Sequence, residues 1–313
     1  MRDELKNRKL FLYIPFVIVL FIIPLGGEYV TYLTGLALVF GIAALSLNVL
    51  LGYTGLLSFG HALFFGCGAY SAGLLVKHFN ITSLEILLPV SIISSIALAV
   101  LVGLICVRHT RIYFTMLTIA ISQLFYALAH KLRPITGGDD GIRIYSVHIF
   151  GHEVGSITEF YYYIVVTFFI SLFCLRIILR SPFGLTLQAI RDSELRARFA
   201  GVSIMSYRLA AFTISGLFAG IAGAMYALYL GQISPDDVLS VLRSGEFVAM
   251  TLLGGYTSFI GPIVGSFLFT YLKAIISSAA LYWYLAFGIL IVSIVIFVPT
   301  GLMGEIEKRW RIG

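Results

Sequence analysis

Charge is scarce in this 313-residue sequence: Asp, Glu, Lys and Arg together make up 12% of it, about half the usual share of a soluble domain. Hydrophobic residues make up 59%, and the mean hydropathy is +1.00. That balance excludes a water-soluble globule, a disordered tail and a nucleic-acid binder. Cysteine is scarce too. Cys67, Cys106 and Cys174 lie far apart in apolar stretches with no C-x-x-C pair, so neither a metal site nor a disulfide framework is expected. The six histidines (61, 78, 109, 130, 148, 152) show no ligand spacing, and no H-E-x-x-H occurs, which removes an intramembrane metalloenzyme. No Gly-Lys dipeptide exists anywhere, so the chain has no phosphate-cradling G-x-x-x-x-G-K-[ST] loop. All fifteen carboxylates fall at the edges of apolar runs or between them.

What is present is a series of apolar windows, at 10–26, 29–51, 55–76, 86–107, 112–129, 160–179, 209–230, 246–276 and 281–298. At roughly 20 residues per crossing they predict an all-α, polytopic integral membrane protein with about eight to ten spans. It reads as a single transmembrane domain, 1–313, with a cytoplasmic loop at 181–208 inside it. The first window follows a basic start and imitates a signal peptide, but no small-x-small cleavage site follows, so it reads as a retained span.

Basic residues set the orientation. With the N-terminus inside, fifteen of the 21 Lys and Arg residues are cytoplasmic; Lys77, Lys131, Arg133, Arg143, Arg243 and Lys273 are external. Nine crossings would then leave the basic C-terminal stretch outside. The window 246–276 resolves this parity conflict. As one helix it would run about 45 Å, against a hydrocarbon core of about 30 Å, and it carries Gly254-Gly255, Gly261-Pro262 and Gly265. It is expected to be a broken element that enters and returns on the outer side. Leu50-Leu-Gly-Tyr-Thr-Gly55 with Ser58-Phe-Gly60 echoes Leu252-Leu-Gly-Gly-Tyr-Thr257 with Ser258-Phe259, either by chance or through duplication with matching breaks.

The loop 181–208 reads as two short helices. Ser181-Pro182 starts the first, and Phe183, Leu187 and Ile190 form its apolar face. Asp192 or Ser193 caps the second, whose apolar side is Leu195, Phe199 and Val202, with Gly201 at its end. The pair is either an interfacial anchor or a docking element for another protein.

The string Leu187-Gln-Ala-Ile-Arg-Asp-Ser-Glu-Leu-Arg-Ala-Arg-Phe-Ala-Gly-Val202 resembles the ATPase-coupling loop of M-type permease subunits in the high-affinity branched-chain amino acid ABC transporter family. Phe212-Thr-Ile-Ser-Gly-Leu-Phe-Ala-Gly-Ile-Ala-Gly-Ala-Met-Tyr-Ala227, Gly231-Gln-Ile-Ser-Pro235, Asn48-Val-Leu-Leu-Gly-Tyr-Thr-Gly-Leu-Leu-Ser-Phe-Gly-His61 and Gly261-Pro-Ile-Val-Gly265 fit the same family in matching order. Arg196 stands where the general importer pattern has alanine, and Leu195 where it has an acid. The resemblance implies a bacterial inner-membrane permease with both termini cytoplasmic, no cofactor and no catalytic residue of its own. The implied partners are a second homologous permease, two cytoplasmic ATP-binding subunits and an external solute-binding protein.

Candidate coupling residues are Phe183, Leu187, Arg191, Glu194, Phe199 and Gly201. Candidate path residues are Asn48, Tyr53, Ser58, His61, Gly254, Gly255 and Thr257, because polar side chains and freed backbone at membrane depth need protein or water around them. For Asn48 a helix-to-helix hydrogen bond is the alternative, and for His61 a packing role. The strip Ser215, Ala219, Gly220, Gly223 and Ala224, with Gly216 and Gly220 as a G-x-x-x-G, reads as a close helix contact. The alternative cargo is urea or a short amide. The alternative of a different class is an ion-coupled secondary carrier, which would need a mid-membrane Asp, Glu or Lys, and the sequence places none there.

Overall fold

The computed structural model describes residues 19–279, 285, 288, 289, 292 and 301–305. Most of the first and last expected spans, and the basic C-terminal stretch, lie outside the described residues. The helices are α1 (Glu28–Asn48, continued by a π-helical stretch Val49–Thr54), α2 (Ala62–Phe79), α3 (Leu84–Cys106), α4 (Arg111–Lys131) and α5 (Ile157–Arg180). They continue with α6 (Pro182–Asp192), α7 (Glu194–Phe199), α8 (Ile204–Leu230), α9 (Val241–Gly254) and α10 (Gly261–Ala279). Six stretches among the described residues are long and apolar enough to cross a membrane: Glu28–Thr54, Leu84–Cys106, Arg111–Lys131, Ile157–Arg180, Ile204–Leu230 and Gly261–Ser278. The expected polytopic, all-α membrane protein is what the chain forms.

Helix α1 is the axis of the bundle. Its apolar residues are buried on every side, from Ala37 through Leu50, the mark of a helix enclosed by others. Helix α8 packs against α2, α3 and α1. The small-residue strip makes this possible: a Cβ on Gly223 would strike the Phe65 carbonyl, and one on Gly220 would strike Ser95. Helices α3, α4 and α5 lie outside, exposing Ile93, Leu101, Met116, Leu124, Val166 and Phe173, as lipid-facing helices should.

The two ends of the bundle differ. One carries two small ribbons, Ile142–Arg143 paired with Gln232–Ile233 and His148–Ile149 paired with His152–Glu153. Arg133 meets Asp140 at 2.6 Å there, and its guanidinium holds the Asp140 carboxyl below the usual carboxylate range. We term this the ribbon end. The opposite end carries α6, α7 and the two interrupted segments.

One difference from the sequence reading and one agreement with it have clear causes. The window 55–76 becomes a helix only from Ala62, because the π-helical stretch ends at Gly55 in a left-handed turn (φ 71°) and residues 55–61 form an irregular re-entry. In the window 246–276 the expected break is present. Helix α9 stops at Gly254, Gly255 adopts φ 106°, which suits glycine, and α10 restarts at Gly261. Helix α9 therefore descends from the ribbon end and α10 climbs back beside it. Close approach at the crossing requires glycine, since a Cβ on Gly254 would strike the Gly261 carbonyl.

Candidate functional site

The two interrupted segments, distant in sequence, meet at the end of the bundle opposite the ribbons. Asn48 Nδ2 donates to the Ser258 carbonyl at 3.4 Å. A Cβ on Gly52 would strike both Asn48 Oδ1 and the Tyr256 carbonyl, so glycine at 52 is what lets the π-helical stretch touch the second break. A π-helical stretch leaves carbonyls out of the regular ladder, and one of them, Gly52 O, accepts from Arg191 Nη1. Arg191 also packs its stem over Gly55. A basic residue of helix α6 thus grips the irregular end of the central helix.

The α6–α7 pair is built much as its pattern predicts. Helix α6 opens at Pro182 with Ser181 as N-cap residue, although the Ser181 hydroxyl donates back to the Ile178 carbonyl at 2.6 Å. Leu187 and Ile190 are buried, and Phe183 stacks on Tyr207 at 5.7 Å. Ser193, rather than Asp192, caps α7 by accepting from the Arg196 amide at 3.4 Å. The turn after α7 closes with the Gly201 amide on the Arg198 carbonyl at 3.0 Å. The expected apolar face of α7 is corrected in part: Ala197 joins Ile190 and Ile204 in a small core with Val202 packed against it as expected, while Leu195 and Phe199 are exposed, Phe199 by 83%. With six residues, α7 turns less than twice, and the short Ala197 is what fits against α6. Leu185, Leu195 and Phe199 remain as an outward apolar surface. Glu194 pairs with Arg208, whose side chain is only 7% exposed, tying α7 to the first turns of α8.

The path candidates divide by exposure. His61 is fully buried, its Nε2 2.7 Å from Ser46 Oγ and its ring edge-on to Phe64 and Phe247; that is a packing environment. Asn48 and Ser58 are buried as well, and Asn48 makes the inter-segment bond already described. Gly254 and Gly255 are buried, Tyr53 is half-buried, and Thr257 alone of the set is exposed.

One group escaped the sequence reading. By sequence Glu246 is at the edge of an apolar run and Arg243 and Lys273 are external; the fold brings their charged groups together within the bundle. The turn Pro235–Val238 buries Pro235 and Val238, so α9 begins well below the surface. Arg243 stacks over Phe40 at 5.1 Å and over Tyr226 at 5.4 Å. Phe40 is at the midpoint of the 27-residue stretch Glu28–Thr54, about 40 Å long. Glu246 is bridged by Arg243 at 2.6 Å and by Lys273 at 2.5 Å. The signal available in the sequence was the i, i+3 spacing of Arg243 and Glu246 directly ahead of an apolar run.

A bundle of apolar helices with two paired interruptions, charged groups within it and a folded helical pair at one end defines a multi-pass membrane protein of the permease class. The chain belongs to the family described as branched-chain amino acid transport system / permease component, whose model matches residues 29–298. It is 29% identical to the high-affinity branched-chain amino acid transport system permease protein LivM of Salmonella typhimurium, over 98% of this chain and 77% of that protein. It is 28% identical to its namesake in Escherichia coli, over 88% and 70%. It is 27% identical to a probable branched-chain amino acid transport permease protein LivM of Methanocaldococcus jannaschii, over 84% and 90%. No solved structure matches the chain.

Proposed function

We propose that this chain is a permease subunit of an ATP-binding cassette importer and forms, with a second homologous permease, the path for branched-chain amino acids. The observation that carries this reading is the near full-length similarity to permeases of that name. Two cytoplasmic ATP-binding subunits and an external solute-binding protein complete the assembly. The whole of 1–313 acts as one transmembrane domain in a bacterial inner membrane, with 181–208 as its coupling loop and both termini cytoplasmic. The charges support that orientation. Lys77, Lys131, Arg133 and Arg143 belong to the ribbon end, whereas Arg108, Arg111, Arg176, Arg180, Arg191, Arg196, Arg198 and Arg208 cluster at the other.

The coupling step follows from the contacts. Leu185, Leu195 and Phe199 offer an apolar surface to an ATPase groove. Movement of α6 is felt at Gly52 through Arg191, and at the second break through the Gly52–Tyr256 contact. Thr257, exposed beside that contact, then lies at the path. Reconstitution of the complete complex with its binding protein in liposomes tests the reading. ATP-dependent uptake of L-leucine, L-isoleucine or L-valine is expected. ATP-dependent uptake of urea alone would transfer the role to short amides, and uptake driven by an ion gradient without ATP would make the chain a secondary carrier.

A further inference from the structure

We infer that Glu246 and Lys273 form a zwitterion-exchange station within the bundle, where the ammonium of a passing amino acid takes the place of Lys273 at Glu246 and its carboxylate takes the place of Glu246 at Lys273. The inference rests on the amino-acid reading above. Depth comes first: Arg243 sits over the Phe40 ring, at the midpoint of the central helix, and Glu246 is bonded to it. Exposure comes second. The Glu246 side chain is 18% exposed and that of Lys273 is 32%. Leu242 is 69% exposed on the same helix, and nothing lies within 4 Å of a Cβ built on Gly245. A partly exposed ion pair at the level of the hydrocarbon core cannot face lipid without a penalty of several kcal/mol, so this side of α9 and α10 faces water or protein. Gly245 leaves the space beside the pair that a solute's backbone end would occupy.

The chemistry explains why a pair, and not a single charge, is placed there. Pulling Glu246 and Lys273 apart with nothing between them separates opposite charges in a low-dielectric setting. A zwitterion avoids that cost. Its ammonium meets Glu246 while its carboxylate meets Lys273, and the charge count is unchanged throughout. Arg243 keeps Glu246 in position, because Arg243 is itself held by Glu246 Oε2 at 2.6 Å, the Asp237 carbonyl at 2.6 Å and the Tyr226 hydroxyl at 3.2 Å. The exchange gains little net affinity, which a path that must release its cargo requires. A neutral amide such as urea could not replace either charge.

The test uses the complete complex in liposomes, with Cys67, Cys106 and Cys174 replaced by alanine. Gly245→Cys is expected to react with a charged, membrane-impermeant methanethiosulfonate and to be protected by L-leucine. Reaction only with a lipid-soluble maleimide would overturn the inference. Glu246→Gln and Lys273→Gln should each lower leucine uptake about tenfold or more, the scale of one charge-assisted hydrogen bond, with the complex still co-purifying for Lys273→Gln because the Arg243–Glu246 pair remains. Unchanged leucine uptake in both variants overturns the station. If the parent complex carries urea and not leucine, the amino-acid reading has failed. Reaction of Gly245→Cys with the charged reagent, but without protection by leucine, would keep a water-filled path and reject the zwitterion.

Discussion

The two interrupted segments look alike in sequence and do different things. Residues 49–61 loosen gradually: the central helix slackens into a π-helical stretch, turns at Gly55 and re-enters as far as Ala62. Residues 254–261 break sharply, between a glycine with φ 106° and a helix that restarts six residues later. The first is gripped by Arg191 from α6; the second touches the first and presents Thr257 outward. A slack helix end with unladdered carbonyls can shift at low cost, whereas two helices crossing at backbone contact cannot. We read the first segment as the receiver of motion from the coupling loop and the second as the element it displaces.

The largest expected effect is at the sharp break. Gly254→Val places side-chain atoms against the Gly261 backbone, and overpacking of this kind costs about 3 kcal/mol or more where backbone is the obstacle. Recovery of assembled complex should collapse. Gly52→Ala meets an Asn48 side chain as well as backbone, so it should assemble in better yield and transport poorly. Equal losses of assembly would erase the distinction between the two segments.

Next come the contacts of the coupling helices. Phe199→Asp puts a charge on the exposed side of α7 without touching the bundle core. Solute-stimulated ATP hydrolysis should fall about tenfold with membrane insertion intact, the loss of one well-packed anchor. If hydrolysis and uptake stay normal, 181–208 is only a surface anchor. Arg191→Ala removes the link to Gly52: ATP hydrolysis should continue while uptake drops several-fold. Arg191→Lys should recover part of it, since an ammonium supplies a donor without the planar reach of guanidinium. The mildest test concerns orientation: cysteine at Ser146 should label from outside intact cells, and cysteine at Ser193 should not. The reverse pattern would invert the assembly.

Much of this was legible beforehand. The parity of basic loops and the length of 246–276 located the break, because no straight helix fits that run across a bilayer. The glycine strip of α8 announced close packing. The buried face of α6 followed from i, i+4 and i+7 spacing. Other features depended on tertiary placement. Glu246 is at the edge of an apolar run in sequence, yet the inward dip of Pro235–Val238 carries it into the bundle. Arg191 reads as one more cytoplasmic charge, and only the fold reveals a backbone carbonyl waiting for it. In α7 the pattern placed Leu195 and Phe199 inward, but a helix of six residues buries only the side that meets α6, and Ala197 fits there.

The central claim is that coupling-loop motion passes through Gly52 to the second break beside the path. Its most direct test is the rate at which a small, water-soluble thiol reagent modifies Thr257→Cys in the complete complex, with and without ATP. The account predicts modification whose rate changes with ATP, loss of that change when Arg191→Ala is added, and little reaction at Ser266→Cys, a position fully buried in α10. A Thr257→Cys that is unreactive from water, or reacts at one rate whether or not ATP is present, would contradict it.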